Sequence, residues 1–147
     1  MSAPDLSALQ ALAEARLAQE RARLKPVLDE EARLRATLVR LEAQAAAARE
    51  GADPALRGIG GDLSWQAWVK GRRAALQVEL ALVLARKEQA LPGLRRAFGK
   101  AEAAAALAVA QRAEASRSRA TRAAVILADL GTLARGGAGV GPRDQTS

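Results

Sequence analysis

The chain has 147 residues, half of them hydrophobic but only 2% aromatic, with a formal charge of +7 and neither cysteine nor histidine. An apolar fraction dominated by alanine argues against a compact globule with a thick core, and the missing residue types exclude disulfides and the usual Cys/His zinc sites. The opening Met1-Ser2-Ala3-Pro4-Asp5 lacks the basic and apolar regions of a secretory signal, and no window nears the ~20 apolar residues of a membrane span, so a soluble cytoplasmic protein is expected.

Ser2 and Asp5 have the S-x-x-D spacing of a capping box, and Pro4 is tolerated in a first turn whose amides lack intrahelical partners. A helix is therefore expected from Ala3. Steps of three and four along it meet Leu6, Gln10, Ala13, Leu17, Glu20, Leu24, Val27, Glu31, Leu34, Leu38, Leu41, Ala45 and Ala48. Ten of these thirteen positions are apolar. A repeat of 3.5 residues keeps one seam facing a partner helix, and a strand of period two cannot imitate it over this length. Pro26 interrupts the helix interior, where proline removes a backbone hydrogen bond, so a kink is expected there. The seam resumes in phase at Val27, which favours one bent helix over 3–50.

Glu50-Gly51-Ala52-Asp53-Pro54 is a termination signal, and Gly58-Ile59-Gly60-Gly61 is flexible. The expectation is a tip loop over 51–63, with Asp62 or Ser64 capping a second, longer helix over 64–135. That helix carries its own seam at Val69, Leu76, Leu80, Val83, Ala90, Leu94, Ala97, Ala101, Ala104 and Ala108, interrupted by Arg73 and Lys87. Past Ala108 the seam weakens. Gly71 and the Pro92-Gly93 pair also weaken the helix, with a kink expected at 92–93, and Pro26 should sit near the level of Pro92 in an antiparallel pair. From Gly136 the glycines end helical structure, and a flexible tail is expected over 136–147. The fold class that follows is all-α, a long antiparallel two-helix coiled-coil hairpin with unequal arms. Pairing within one chain is favoured because a short tip closes at little entropic cost.

The chain offers little chemistry. Gly93-Leu94-Arg95-Arg96-Ala97-Phe98-Gly99-Lys100 imitates a phosphate-binding loop, but five residues separate the glycines, Ala101 replaces the magnesium-binding Ser/Thr, and no strand precedes it. Without histidine, and with no serine beside an activating group, no catalytic, cofactor or metal residues are assigned. Glu31 at a seam position is expected to set register or pair with an opposing arginine. Trp65 and Trp68, three apart, share one helical face. They either close the hairpin core on Leu41, Ala45 and Ile59 or leave one ring exposed as a partner anchor. Arg112, Arg117, Arg119 and Arg122 crowd the outer second helix against the single acid Glu114. They are either a solvated face or a field for an acidic partner. Nucleic acid is disfavoured because no recognition motif or aromatic platform accompanies the charge.

With Trp65-Gln66-Ala67-Trp68, Arg72-Arg73 and Arg95-Arg96-Ala97-Phe98-Gly99-Lys100-Ala101-Glu102, the chain resembles the flagellar export protein FliJ family, related to coiled-coil stalk proteins of virulence type III secretion. The resemblance implies a non-enzymatic stalk that enters the export ATPase ring, promotes its assembly and activity, and links it to the membrane-embedded export gate. Some family members also bind substrate chaperones. Such a protein works in the cytoplasm, peripheral to the inner membrane at the flagellar base. Carried onto this chain, the resemblance places Arg112, Arg117, Arg119 and Arg122 at the ATPase ring, and Leu38, Leu41, Trp65, Trp68, Arg72 and Leu76 at the gate. The alternative expectation is a general cytoplasmic coiled-coil adaptor or chaperone outside secretion.

Overall fold

The computed structural model describes residues 2–51, 53–57, 60–139 and 141. The chain is an all-α hairpin of α1 (Ala3–Glu50), the single turn α2 (Pro54–Arg57) and α3 (Gly61–Gly137). By its contacts it divides into one unit of Ala11–Ala101 and another of Met1–Gln10 with Glu102–Ser147.

In the first unit the seam residues of α1 and α3 meet. Leu34, Leu41, Ala45, Val69, Leu76 and Val83 form a buried cluster flanked by Val27, Leu38, Trp65 and Leu80. A second cluster of Leu17, Ala97 and Ala101 is flanked by Ala13 and Leu94. Every position from Ala13 to Ala48 in the three-and-four series is buried or half-buried, while most residues between them are exposed. One narrow stripe per helix therefore excludes water, as a coiled-coil period requires.

Three of the polar seam positions, Glu31, Arg73 and Lys87, pair across the hairpin, while Glu20 pairs with Arg23 on its own helix. Lys87 Nζ donates to Glu31 Oε2 at 2.9 Å, and the other oxygen of Glu31 lies 2.8 Å from Arg35 Nη2. Glu31 thus pairs across the hairpin with a lysine, not with the arginine expected; Arg35 is a neighbour one turn along its own helix. Arg73 grips Glu42 with a fork, one branch being Nη2 to Oε2 at 3.0 Å. Both carboxylates are held below the usual glutamate range, first by these hydrogen bonds and then by the nearby cations, against an opposing effect of burial.

Pro26 lies five positions before Glu31 on α1, and Pro92 lies five positions after Lys87 on α3. The Glu31–Lys87 contact therefore sets the two prolines at one level. Both helices run through that level without a break. The two apolar clusters end on either side of it, at Val27 in one and Leu94 in the other. Glu20 Oε2 lies 3.4 Å from where a Cβ on Gly93 would stand.

At the tip the helical content exceeds the expected loop. Asp53 caps α2, its Oδ1 accepting from Ala55 N at 3.0 Å, with Pro54 in the first position where a missing amide costs nothing. α3 starts at Gly61, ahead of the expected 64. Its cap is Gly60, whose φ of 79° suits glycine and whose carbonyl accepts from Ser64 N at 3.3 Å. Asp62 is displaced from the cap into the first turn, where its charge opposes the helix dipole.

In the other unit α1 opens with the reciprocal capping box. Ser2 N donates to Asp5 Oδ2 at 3.1 Å, and Asp5 N to Ser2 Oγ at 3.4 Å. Among its described residues, Leu6, Ala104 and Ala108 are the buried apolar ones. Helix continues to Gly137, two residues beyond the expected end. Of the flexible tail expected over 136–147, residues 140 and 142–147 lie outside the described residues.

Candidate docking surfaces

Trp65 and Trp68 sit in the second turn of α3, whose start is fixed by Gly60. Their rings stack with centroids 5.2 Å apart and planes inclined by 18°. The two readings of this pair are divided between its members. Trp65 is half-buried and packs on the cluster that contains Leu41 and Ala45; its expected neighbour Ile59 lies outside the described residues. Trp68 keeps 53% of its surface exposed. An alanine seam fills too little space for two indoles, so the second stacks on the first instead of entering the core.

Trp68 forms the wall of a shallow groove of about 250 Å³, together with Thr37, Arg40, Leu41, Gln44, Arg72 and Leu76. Four of the expected gate residues, Leu41, Trp68, Arg72 and Leu76, are thus brought together. They differ in role. Leu41 and Leu76 are 4% and 2% exposed, so they form the floor and hold the hairpin, while Trp68 and Arg72 face solvent. Leu38 is half-buried against the same cluster. Arg40 Nη2 lies 3.3 Å from Thr37 Oγ1, leaving an aromatic ring bordered by two guanidinium groups.

Arg112, Arg117, Arg119 and Arg122 of the other unit are exposed. Three of them bond to their own helix: Arg112 Nε to Ala108 O at 3.2 Å, Arg117 Nη2 to Glu114 Oε2 at 2.9 Å, and Arg122 Nη2 to Ser118 Oγ at 3.3 Å. Arg119 is exposed beside them. These are solvent-side contacts of little energy. The arginines are positioned as a field and not as a locked cluster.

Two features went unread in the sequence. Val125, Ile126, Leu127, Leu130 and Leu133 are 55 to 72% exposed on α3; their three-and-four spacing was the available signal. Phe98, the chain's one phenylalanine, is 48% exposed and borders a groove with Leu17, Arg21, Leu94 and Arg95. The segment that imitates a phosphate-binding loop, Gly93 to Lys100, is helical throughout. Among the described residues no helix is long and apolar enough to cross a membrane, and no group of three or more acidic side chains gathers as metal ligands do. No protein-family model, curated protein or solved structure matches the chain.

Proposed function

We propose that the chain is a non-enzymatic coiled-coil stalk of the flagellar type III export apparatus, coupling the export ATPase ring to the membrane-embedded export gate and binding substrate chaperones. The observation that carries this reading is that a hairpin presents two chemically distinct surfaces. One, in the unit of Ala11–Ala101, is the Trp68 groove with Arg40 and Arg72. The other, in the second unit, is the arginine field from Arg112 to Arg122 with the uncovered apolar residues beyond it.

On this reading Trp68 and Arg72 contact the gate, supported by Trp65, Leu38, Leu41 and Leu76. Arg112, Arg117, Arg119 and Arg122 meet the ATPase ring, and the protein works in the cytoplasm, peripheral to the inner membrane at the flagellar base. The test is copurification from cells carrying both partners. Trp68→Ala with Arg72→Glu should lose the gate protein and keep the ATPase, and Arg119→Glu with Arg122→Glu should do the reverse. Export and swimming that persist after deletion of the gene would sink the proposal.

A further inference from the structure

The seam of α3 does not stop where α1 stops covering it. Eighteen residues are five helical turns, so Ile126 stands directly over the buried Ala108, and Arg122 over the buried Ala104. Leu130 and Leu133 fall within about 40° of the same line at 100° per residue. The face that buries Ala104 and Ala108 in this unit therefore continues first as a basic stretch and then as an apolar one. Arg112 and Arg119 share it, each within about 40° of that line. In the apolar stretch Ile126, Leu130 and Leu133 remain 58%, 57% and 72% exposed, with Leu127 widening the patch at 69%. α1 is closed at Ala3 by the Ser2–Asp5 capping box.

We infer that this face is completed by a helix from another protein, one with an apolar seam and glutamate or aspartate on its flanks, lying where a longer α1 would lie. Continuity with the existing interface identifies the occupant as a helix, since Ile126, Leu130 and Leu133 keep the three-and-four spacing of a coiled-coil seam. Charge gives its sign. Between Arg112 and Gly137 five arginines meet two acids, and one of those, Glu114, is already held by Arg117 at 2.9 Å.

The same charges argue against a second copy as the occupant. A parallel pair sets each arginine against itself. An antiparallel pair that matches Ile126 to Leu133 brings Asp129 against its own copy and Arg122 toward Arg135. Flanking charges of like sign select against such pairings. The inference does not rest on the export-stalk reading, because a defined peptide tests the one and copurification tests the other.

The experiment uses the full chain and a fluorescein-labelled synthetic helix of four heptads, with leucine at the seam and glutamate on both flanks, read by anisotropy against a twin with lysine flanks. The glutamate peptide should bind about tenfold or more tightly than its twin, a gap of about 1.4 kcal/mol. Ile126→Asp with Leu130→Asp should weaken it by a similar factor without loss of ellipticity at 222 nm, since both side chains are exposed. Arg119→Glu with Arg122→Glu should reverse the preference, and that pair leaves the apolar face untouched. Equal binding of the two peptides would overturn the inference, as would binding indifferent to the aspartates. So would a dimer of the chain alone that the aspartates dissolve, or flotation with phosphatidylserine vesicles in the absence of peptide binding.

Discussion

Leu34 is the most completely buried side chain of the hairpin, with 0% of its surface exposed among Leu41, Val83 and Leu76. Leu34→Ala removes three carbon atoms, which at about 0.8 kcal/mol per buried methylene is about 2.4 kcal/mol of lost transfer free energy. A cavity left behind adds to this in thick cores. The present core is one seam between two helices, so water and neighbouring side chains can enter the space, and the cavity contribution should be small. The expected total is about 2 to 3 kcal/mol, the lower part of the range for leucine truncation.

Leu12 provides the control on the same helix, because it is 68% exposed. Leu12→Ala should change stability by less than about 0.5 kcal/mol. Urea unfolding followed at 222 nm reads both, with unchanged slopes certifying that the midpoint shift is one of stability. Equal losses in the two variants, or a Leu34→Ala loss below about 1 kcal/mol, would refute the assignment of the seam as the place where stability resides.

Gly71 and Gly99 have open space around the position a Cβ would take, so Gly71→Ala and Gly99→Ala should each stabilise by up to about 1 kcal/mol in thermal melts, the helix-interior cost of glycine. Glu31 and Glu42 are held below the ordinary glutamate range, so their contribution is complete above that range and is lost as the pH falls through it to their folded values. Urea midpoints should fall with acidification over that window, and less so in Glu31→Gln with Glu42→Gln; parallel pH curves would contradict the ion pairs. Trp68 should be quenched by acrylamide more readily than Trp65, read in Trp65→Phe and Trp68→Phe, and Trp65→Ala should cost more stability than Trp68→Ala.

What could be read from the sequence was whatever depends on helical period alone. All thirteen seam positions of the first helix are buried or half-buried in the structure, because an apolar 3.5-residue stripe has a single way to leave water. The partners of the polar seam positions were not legible. Glu31 meets Lys87, and Arg73 meets Glu42, only because the tip fixes how far one helix is displaced along the other. That displacement depends on α2 and on the positive φ of Gly60, and neither leaves a periodic signal. The Trp68 groove was half legible: its residue types were, but the division between a buried Trp65 and an exposed Trp68 depends on how much volume the alanine seam can fill.

The polar seam positions explain why a hairpin so rich in alanine has one register. A seam of leucine and alanine alone is nearly as well satisfied after a slip of one heptad. Such a slip here would carry Lys87 from Glu31 to the level of Leu24 or Leu38, burying a charge against an apolar side chain and leaving Glu31 without its lysine. It would also part Arg73 from Glu42 and move Pro92 away from the level of Pro26. Removing one partner of a buried charge pair costs more than the pair contributes, so the Glu31–Lys87 pair, in which Glu31 is buried, acts chiefly against wrong registers. Keeping both prolines at one level then confines the lost backbone hydrogen bonds to a stretch between the two apolar clusters. Each cluster retains unbroken helix on both sides of its seam.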